Sequence, residues 1–284
     1  MQPRLGSIQF INSLPVDWAM LNGIVPVDAQ IIQGTPAWLN EQILENKLDI
    51  SPISAFWYAQ HQKNFLLLPS LSISSQSSVQ SVLLFSRFPI DRLKDKTIHV
   101  TDQGRTTPAL LEIILRLRYR FLPKFKTNGT KRGIDDVLSD ESDAVLLIGD
   151  EALLASNRAK KNQALYVIDL AEEWQGWTNT PVVFAVWAVR RDFFECAPEK
   201  VQAVYASILK SRGWGFSHLE DILKIAAERT ELRRDELENY FSQLSYDFDE
   251  EAETGMRLYF NYAAKCGLLP PVGVFHDIAE SYVR

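Results

Sequence analysis

A chain of 284 residues with 46% hydrophobic content is long enough to bury a large core, as one large α/β domain or two smaller ones. Its formal net charge of -6, with basic runs such as Lys160-Lys161 and Arg233-Arg234 that are single pairs, excludes an electrostatic footprint for nucleic acid, so the expected partner is a small molecule. No stretch approaches the roughly 18 uninterrupted apolar residues of a membrane span, and no apolar run follows Arg4 as in a secretory signal, so a cytoplasmic protein away from the membrane is expected.

Cys196 and Cys266 lie far apart without metal-ligand spacing, and His61, His99, His218 and His276 are equally dispersed. Neither a disulfide scaffold, a metal site nor a Ser/His/Asp arrangement is expected, and no cofactor is implied.

Residues 8–11 read as a short buried strand that stops at Asn12 and Ser13 before Pro15 redirects the backbone. In an open α/β sheet the ligand sits beyond the carboxyl ends of the strands, so Asn12 and Ser13 are either first-strand binding residues or plain turn formers. A second strand at Ile31 and Ile32 leads to a helix with Thr35 as N-cap and Pro36 at its first position, running to about Asn46. Residues 48–53 return as a strand, which makes a parallel βαβ unit. Ser54 at its end is a cleft candidate or the cap of a helix over 55–60.

Residues 71–75 alternate like a half-exposed strand, whereas 79–85 are nearly continuously apolar and leave Ser81 as a hydroxyl inside a buried strand. A buried hydroxyl needs a partner or costs on the order of 1–3 kcal/mol, and a backbone carbonyl serves as well as a ligand. The polar stretch 88–96 is a connector, and a new αβ pattern starts with a strand at 97–101. The next loop leads into an apolar helix over 109–120. There Gly104, Thr106 and Thr107 can present backbone and hydroxyl donors to a carboxylate or phosphate, while Thr107 also caps a helix whose first residue is Pro108.

Residues 143–148 form a clear buried strand followed at once by Gly149 and Asp150. Asp150 is read first as a helix N-cap and second as an acceptor for a ligand hydroxyl. A strand at 165–170, then Trp174, Trp177, Thr178 and Pro181, precede the apolar run 182–189, a central strand that carries the chain back out of a second domain. Trp174 and Trp177 are expected in the core. Helices over 198–212 and 249–265, a capping box at Ser217 and Glu220, and a short strand at 244–248 complete the pattern.

A first lobe of residues 1–87 and 188–284 with a second lobe of residues 88–187 inserted in it has two crossings and a cleft between lobes. This is the layout of a two-lobed α/β fold of the type II periplasmic-binding-protein kind, which closes on its ligand by a hinge. Ile8-Gln-Phe-Ile-Asn-Ser-Leu-Pro15, Leu48-Asp-Ile-Ser-Pro-Ile-Ser54, Ser81-Val-Leu-Leu-Phe-Ser86, Gly104-Arg-Thr-Thr107, Val145-Leu-Leu-Ile-Gly-Asp-Glu-Ala152 and Pro181-Val-Val-Phe-Ala-Val-Trp187 together resemble the chorismate dehydratases of the futalosine route to menaquinone.

The resemblance covers nearly the whole chain, departing at Thr107 and Thr180, where Ser and Leu are commoner in the family. It implies Asn12 and Ser81 at the reacting centre, the 104–107 turn on a substrate carboxylate, and loss of water from chorismate to give 3-[(1-carboxyvinyl)oxy]benzoate. Ser54 and Asp150 complete the candidate set. A small-anion binder of the same fold without catalysis and the related 1,4-dihydroxy-6-naphthoate synthase are the alternatives.

Overall fold

A computed structural model describes residues 2–101, 104–127, 134–138, 142–159 and 165–279. Asp102 and Gln103 of the loop before α4, and the Lys160-Lys161 pair, lie outside the described residues.

The chain begins with β1 (Arg4–Ile8), α1 (Leu14–Leu21), β2 (Gln30–Gly34), α2 (Pro36–Leu44), β3 (Ile50–Ser54), α3 (Ala55–Gln60) and β4 (Phe65–Ser75). It continues through β5 (Val82–Ser86), β6 (Thr97–Val100), α4 (Thr106–Ile113), β7 (Lys124–Thr127), α5 (Ile134–Leu138), β8 (Ala144–Ile148), α6 (Gly149–Ala159), β9 (Tyr166–Asp169) and α7 (Leu170–Thr178). The last stretch holds β10 (Val182–Arg190), α8 (Arg191–Cys196), α9 (Pro198–Ser217), α10 (Leu219–Thr230), α11 (Arg234–Gln243), β11 (Leu244–Ser245) and α12 (Glu250–Lys265).

These strands make a six-stranded sheet in the order β11-β4-β10-β3-β1-β2 and a five-stranded sheet in the order β7-β6-β8-β5-β9. The parallel βαβ unit is present: β1 pairs in parallel with β2, with Ile8 opposite Gly34, and with β3. The apolar run that starts at Val182 becomes β10, antiparallel to both β3 and β4, and its buried residues suit a strand with neighbours on each side. Trp174 and Trp187 are 0% and 1% exposed, in the core. Strand membership differs from the sequence-based division at both crossings. β5 belongs wholly to the five-stranded sheet, and the whole of β10 to the six-stranded one.

Several local expectations shift. The first strand ends at Ile8, and Ile11–Ser13 form a single 3-10 turn closed by Ser13 N–H donating to Phe10 O at 3.2 Å. Pro15 does not redirect the chain, because its fixed φ suits the first turn of α1. Residues 71–75 are fully buried within β4, their polar alternation satisfied locally, as where Ser72 Oγ donates to Asp247 O at 2.7 Å.

Thr107 is not the cap of α4. The helix begins two residues earlier, at Thr106 with Arg105 as its N-cap residue, and runs into a π-helical turn at Ile114–Arg118. Nor does Ser217 open a capping box: α9 extends to Ser217, whose hydroxyl donates back to Gly213 O and Trp214 O at 3.0 and 2.9 Å. Thr35 caps α2 as expected, accepting from Trp38 N–H, and Asp249, read as the first helical residue, instead caps α12 by accepting from Ala252 N–H.

Candidate active site

The carboxyl ends of β1 and β3, the start of α4 and the β8–α6 junction converge on one cleft of about 640 Å³, including the space open to solvent at its mouth. Such a place beyond the strand ends is where open α/β sheets bind ligands. Asn12, Ser54, Ser81, Gly104, Thr106 and Thr107 all line it, whereas Asp150 does not. The walls are apolar, formed by Ile8, Phe10, Pro36, Pro52, Ile53, Ile73, Val79, Val82, Ile148 and Phe184 among others.

Asn12 sits in the middle of the 3-10 turn. Tyr246 Oη donates to its backbone carbonyl at 2.8 Å, and the Ser13 hydroxyl fixes the turn by donating to Ile8 O at 2.6 Å and Phe10 O at 3.1 Å. Ser13 is thus held by the turn's own carbonyls and does not line the cleft. The Asn12 side chain is different: its Oδ1 is buried and has no hydrogen-bond partner among the described residues. A native protein leaves few such atoms, and each asks for an explanation such as a missing ligand.

Behind this turn lies a buried acid. Ser7 Oγ donates to Asp17 Oδ2 at 2.7 Å, and burial lifts the Asp17 carboxyl to about 7 against the opposing pull of the Ser7 and Ser13 hydroxyls.

Ser81, 3% exposed, lies just before β5 rather than inside it. Its hydroxyl accepts from Tyr240 Oη at 3.2 Å and is within 3.3 Å of Val79 O. Its carbonyl accepts from Gly149 N–H at 2.8 Å. Gly149 has φ of +63°, and a Cβ there would come within 2.8 Å of the Phe10 ring, so only glycine permits this junction to approach the cleft wall.

Ser54 stands at the N-cap position of α3, but its hydroxyl makes no cap hydrogen bond. Its N–H donates to Asn40 Oδ1 and its Oγ accepts from Asn40 Nδ2, both at 3.0 Å, which leaves the hydroxyl proton free to point at a ligand. The Thr106 hydroxyl is already occupied, accepting from Phe56 N–H at 3.2 Å and donating to Phe184 O at 3.1 Å. The Thr107 hydroxyl, by contrast, has no hydrogen-bond partner among the described residues.

Sequence reasoning passed over Arg105. It lines the cleft as the sole charged side chain among the lining residues, and it is exposed and pairs with no acid among the described residues. The signal was present, since Arg105 lies inside the 104–107 turn already read as an anion site. An unpaired guanidinium beside the first-turn N–H groups of α4 suits a carboxylate. Among the described residues, none of the four histidines lines the cleft, nor does any lysine, aspartate or glutamate.

Two sheets of unequal size with a cleft at their facing strand ends define a two-lobed protein of the type II periplasmic-binding-protein fold. Solved structures bear this out. The alkanesulfonate-binding protein SsuA from Xanthomonas axonopodis pv. citri, bound to MOPS, superposes with a TM-score of 0.70 at 12% identity, covering 95% of this chain and 94% of its own. Protein AF1704 from Archaeoglobus fulgidus reaches 0.73 at 21% identity, covering 94% and 98%.

The chain belongs to the menaquinone biosynthesis family, whose profile matches residues 3–265. It is similar to the chorismate dehydratase of Thermus thermophilus, with 28% identity over 242 residues, 81% of this chain and 85% of that relative.

Proposed function

We propose that this protein is a chorismate dehydratase, a hydro-lyase that converts chorismate to 3-[(1-carboxyvinyl)oxy]benzoate in a futalosine-type route to menaquinone. The observation that carries the reading is the Asn12 side chain, held in an apolar cleft with a buried Oδ1 that has no partner among the described residues. Family membership and the Thermus thermophilus relative support it.

In the reaction the C–H bond at the ring carbon bearing the enolpyruvyl ether and the C–O bond at the neighbouring carbon both break. The electron pair of the C–H bond becomes the third ring double bond, and the proton and hydroxide leave as water. Aromatisation supplies the driving force, so the protein needs to place the substrate more than to supply a strong base. The cleft agrees in kind: its lining side chains are an amide, hydroxyls, one guanidinium and apolar walls.

Asn12 and Ser81 orient the ring and assist the departing hydroxyl. A substrate carboxylate takes the proton, since no lining side chain among the described residues is a base of suitable strength. Arg105, Thr107 and the start of α4 hold a carboxylate, and Ser54 donates to the substrate. Such positioning accounts for a barrier reduction of several kcal/mol, on the order of 7 at its best.

On this reading the strands of one lobe lie within 2–75 and 182–279 and those of the other within 82–169, with the crossings between them flanking the cleft. The protein works in the cytoplasm on a soluble substrate.

The test is to incubate the protein with chorismate and follow loss of the diene absorbance together with product mass. Consumption with a product lighter by one water supports the reading. Binding without turnover replaces it with the anion-binder alternative, and absence of binding overturns both.

A further inference from the structure

Asp150 was the one candidate residue that the fold leaves out of the cleft lining, yet its carboxylate is not idle. It stands in the first turn of α6, directly behind β8 of the five-stranded sheet. Its Oδ1 accepts a hydrogen bond of 3.1 Å from the backbone N–H of Ile11, 139 residues away, in the turn that follows β1 of the six-stranded sheet. Ile11 N–H lies at the start of a 3-10 turn, where no intra-turn carbonyl serves it.

A second contact accompanies this bond. Ile11 is 0% exposed and packs in one apolar cluster with Leu14, with Leu153 of α6 and with Leu237, Tyr240 and Phe241 of α11. The polar bond and the apolar cluster therefore both join α6 to the Ile11–Ser13 turn.

We propose that Asp150 is a positioning residue that acts through the Ile11 N–H to hold Asn12 in its working orientation, and that it does so only while the two lobes are together. The turn has two fixed points on its own lobe, Tyr246 Oη on the Asn12 carbonyl and the Ser13 hydroxyl on Ile8 O. The Asp150 carboxylate is the third, and it comes from the opposite lobe. When the lobes separate, that point is lost while the other two remain, so the Asn12 amide is free to swing. The cleft is then complete in its closed form and incomplete in its open one, which couples substrate enclosure to assembly of the reacting centre.

Charged and titratable neighbours agree with a carboxylate in this place. Burial raises the Asp150 carboxyl to about 6, opposed by the Ile11 N–H and by the positive charge of Arg229. The Tyr240 hydroxyl, which feels the Asp150 charge, is pushed up chiefly by its own burial. The carboxylate thus keeps its acceptor role at neutral pH despite its desolvation.

The inference rests on the dehydratase reading, and its test has one arm independent of that reading. In the substrate-free full chain, amide hydrogen exchange is measured for the peptide containing Ile11 in wild type, Asp150→Asn and Asp150→Ala. Faster exchange at Ile11 in Asp150→Ala, with near-wild-type protection in Asp150→Asn, whose side-chain oxygen still accepts, is the expected result. Unchanged protection in Asp150→Ala overturns the proposal.

The second arm uses chorismate. Asp150→Ala should lose about 10²-fold in kcat with KM little changed, the size of effect a misplaced reacting group produces, and Asp150→Asn should recover most of it. In a double-mutant cycle, Asp150→Ala combined with Asn12→Ala should be no slower than Asn12→Ala alone, because both changes remove the same function. Independent, multiplying losses would mean that Asp150 acts elsewhere and would overturn the proposal. If wild type does not consume chorismate, the dehydratase reading fails and the exchange arm still decides whether Asp150 holds the turn.

Discussion

Tyr240 donates a hydrogen bond to Ser81 Oγ at 3.2 Å, across 159 residues of sequence. The phenol fills one lone pair of the serine, so the Ser81 proton is left for Val79 O, at a long 3.3 Å, or for a ligand in the cleft. Tyr240→Phe removes a neutral hydrogen bond worth about 1 kcal/mol and should lower kcat about fivefold. Ser81→Ala should cost far more. Steady-state rates of chorismate consumption for the two variants, each checked for folding, test this order. An equal loss in both would mean that the serine hydroxyl itself has no role.

Asn12 Oδ1 is buried with no hydrogen-bond partner among the described residues. Asn12→Ala should therefore raise stability by about 1 kcal/mol, since it deletes an unsatisfied buried group, while turnover falls about 10²-fold. Thermal melting and turnover measured on the same preparation check both halves. A folded Asn12→Ala protein with wild-type turnover would remove Asn12 from the reacting centre.

Arg105 faces the same cleft with no acid partner among the described residues. Losing a charged hydrogen bond to a carboxylate costs about 1.5–3 kcal/mol, so Arg105→Ala should raise KM for chorismate by about tenfold or more with a smaller effect on kcat. Arg105→Lys should recover only part, because an ammonium cannot grip a carboxylate with two parallel N–H groups. The wild-type KM should rise with salt, as the side chain is exposed. A KM unmoved by Arg105→Ala would take this residue off the substrate.

Asp17 predicts a pH effect on stability. Burial raises its carboxyl from 3.8 to about 7, so between those values the folded protein holds a proton that the unfolded chain has released. The contribution is full below pH 3.8 and is lost as pH rises through about 7. From pH 5 to pH 8, wild type should lose about 3 kcal/mol relative to Asp17→Asn, which has no such proton to release. Urea unfolding of both proteins at the two pH values measures this. A constant difference would show that Asp17 is already ionised at pH 5.

Much of the architecture was legible because the apolar runs were long and bounded. Val182 onward could only be a buried strand, and Thr35 before Pro36 could only open a helix. The turn at Asn12 was misplaced because Phe10 and Ile11 extend the apolar run of β1, although they bury themselves in different clusters. The site residues at strand ends followed from the general rule for α/β sheets, and all but Asp150 line the cleft. What sequence could not give was pairing at a distance: the bond from Ile11 to Asp150 and the one from Tyr240 to Ser81 each join segments with no local signal for the other. Arg105 was hidden differently, as a charge among donors that had already drawn notice.

The place of β10 in the six-stranded sheet has a consequence for biosynthesis. β3 and β4 are adjacent in sequence but are not hydrogen-bonded to each other, because β10 lies between them. A ribosome releasing residues 1–75 first leaves β4 without a partner until the segment at Val182–Arg190 has emerged, more than a hundred residues later. The five-stranded sheet, whose strands all lie between Val82 and Asp169, is complete before then. The inserted lobe is thus the part able to fold during synthesis, while the lobe that starts the chain waits for its middle strand and needs shelter for its exposed edge meanwhile.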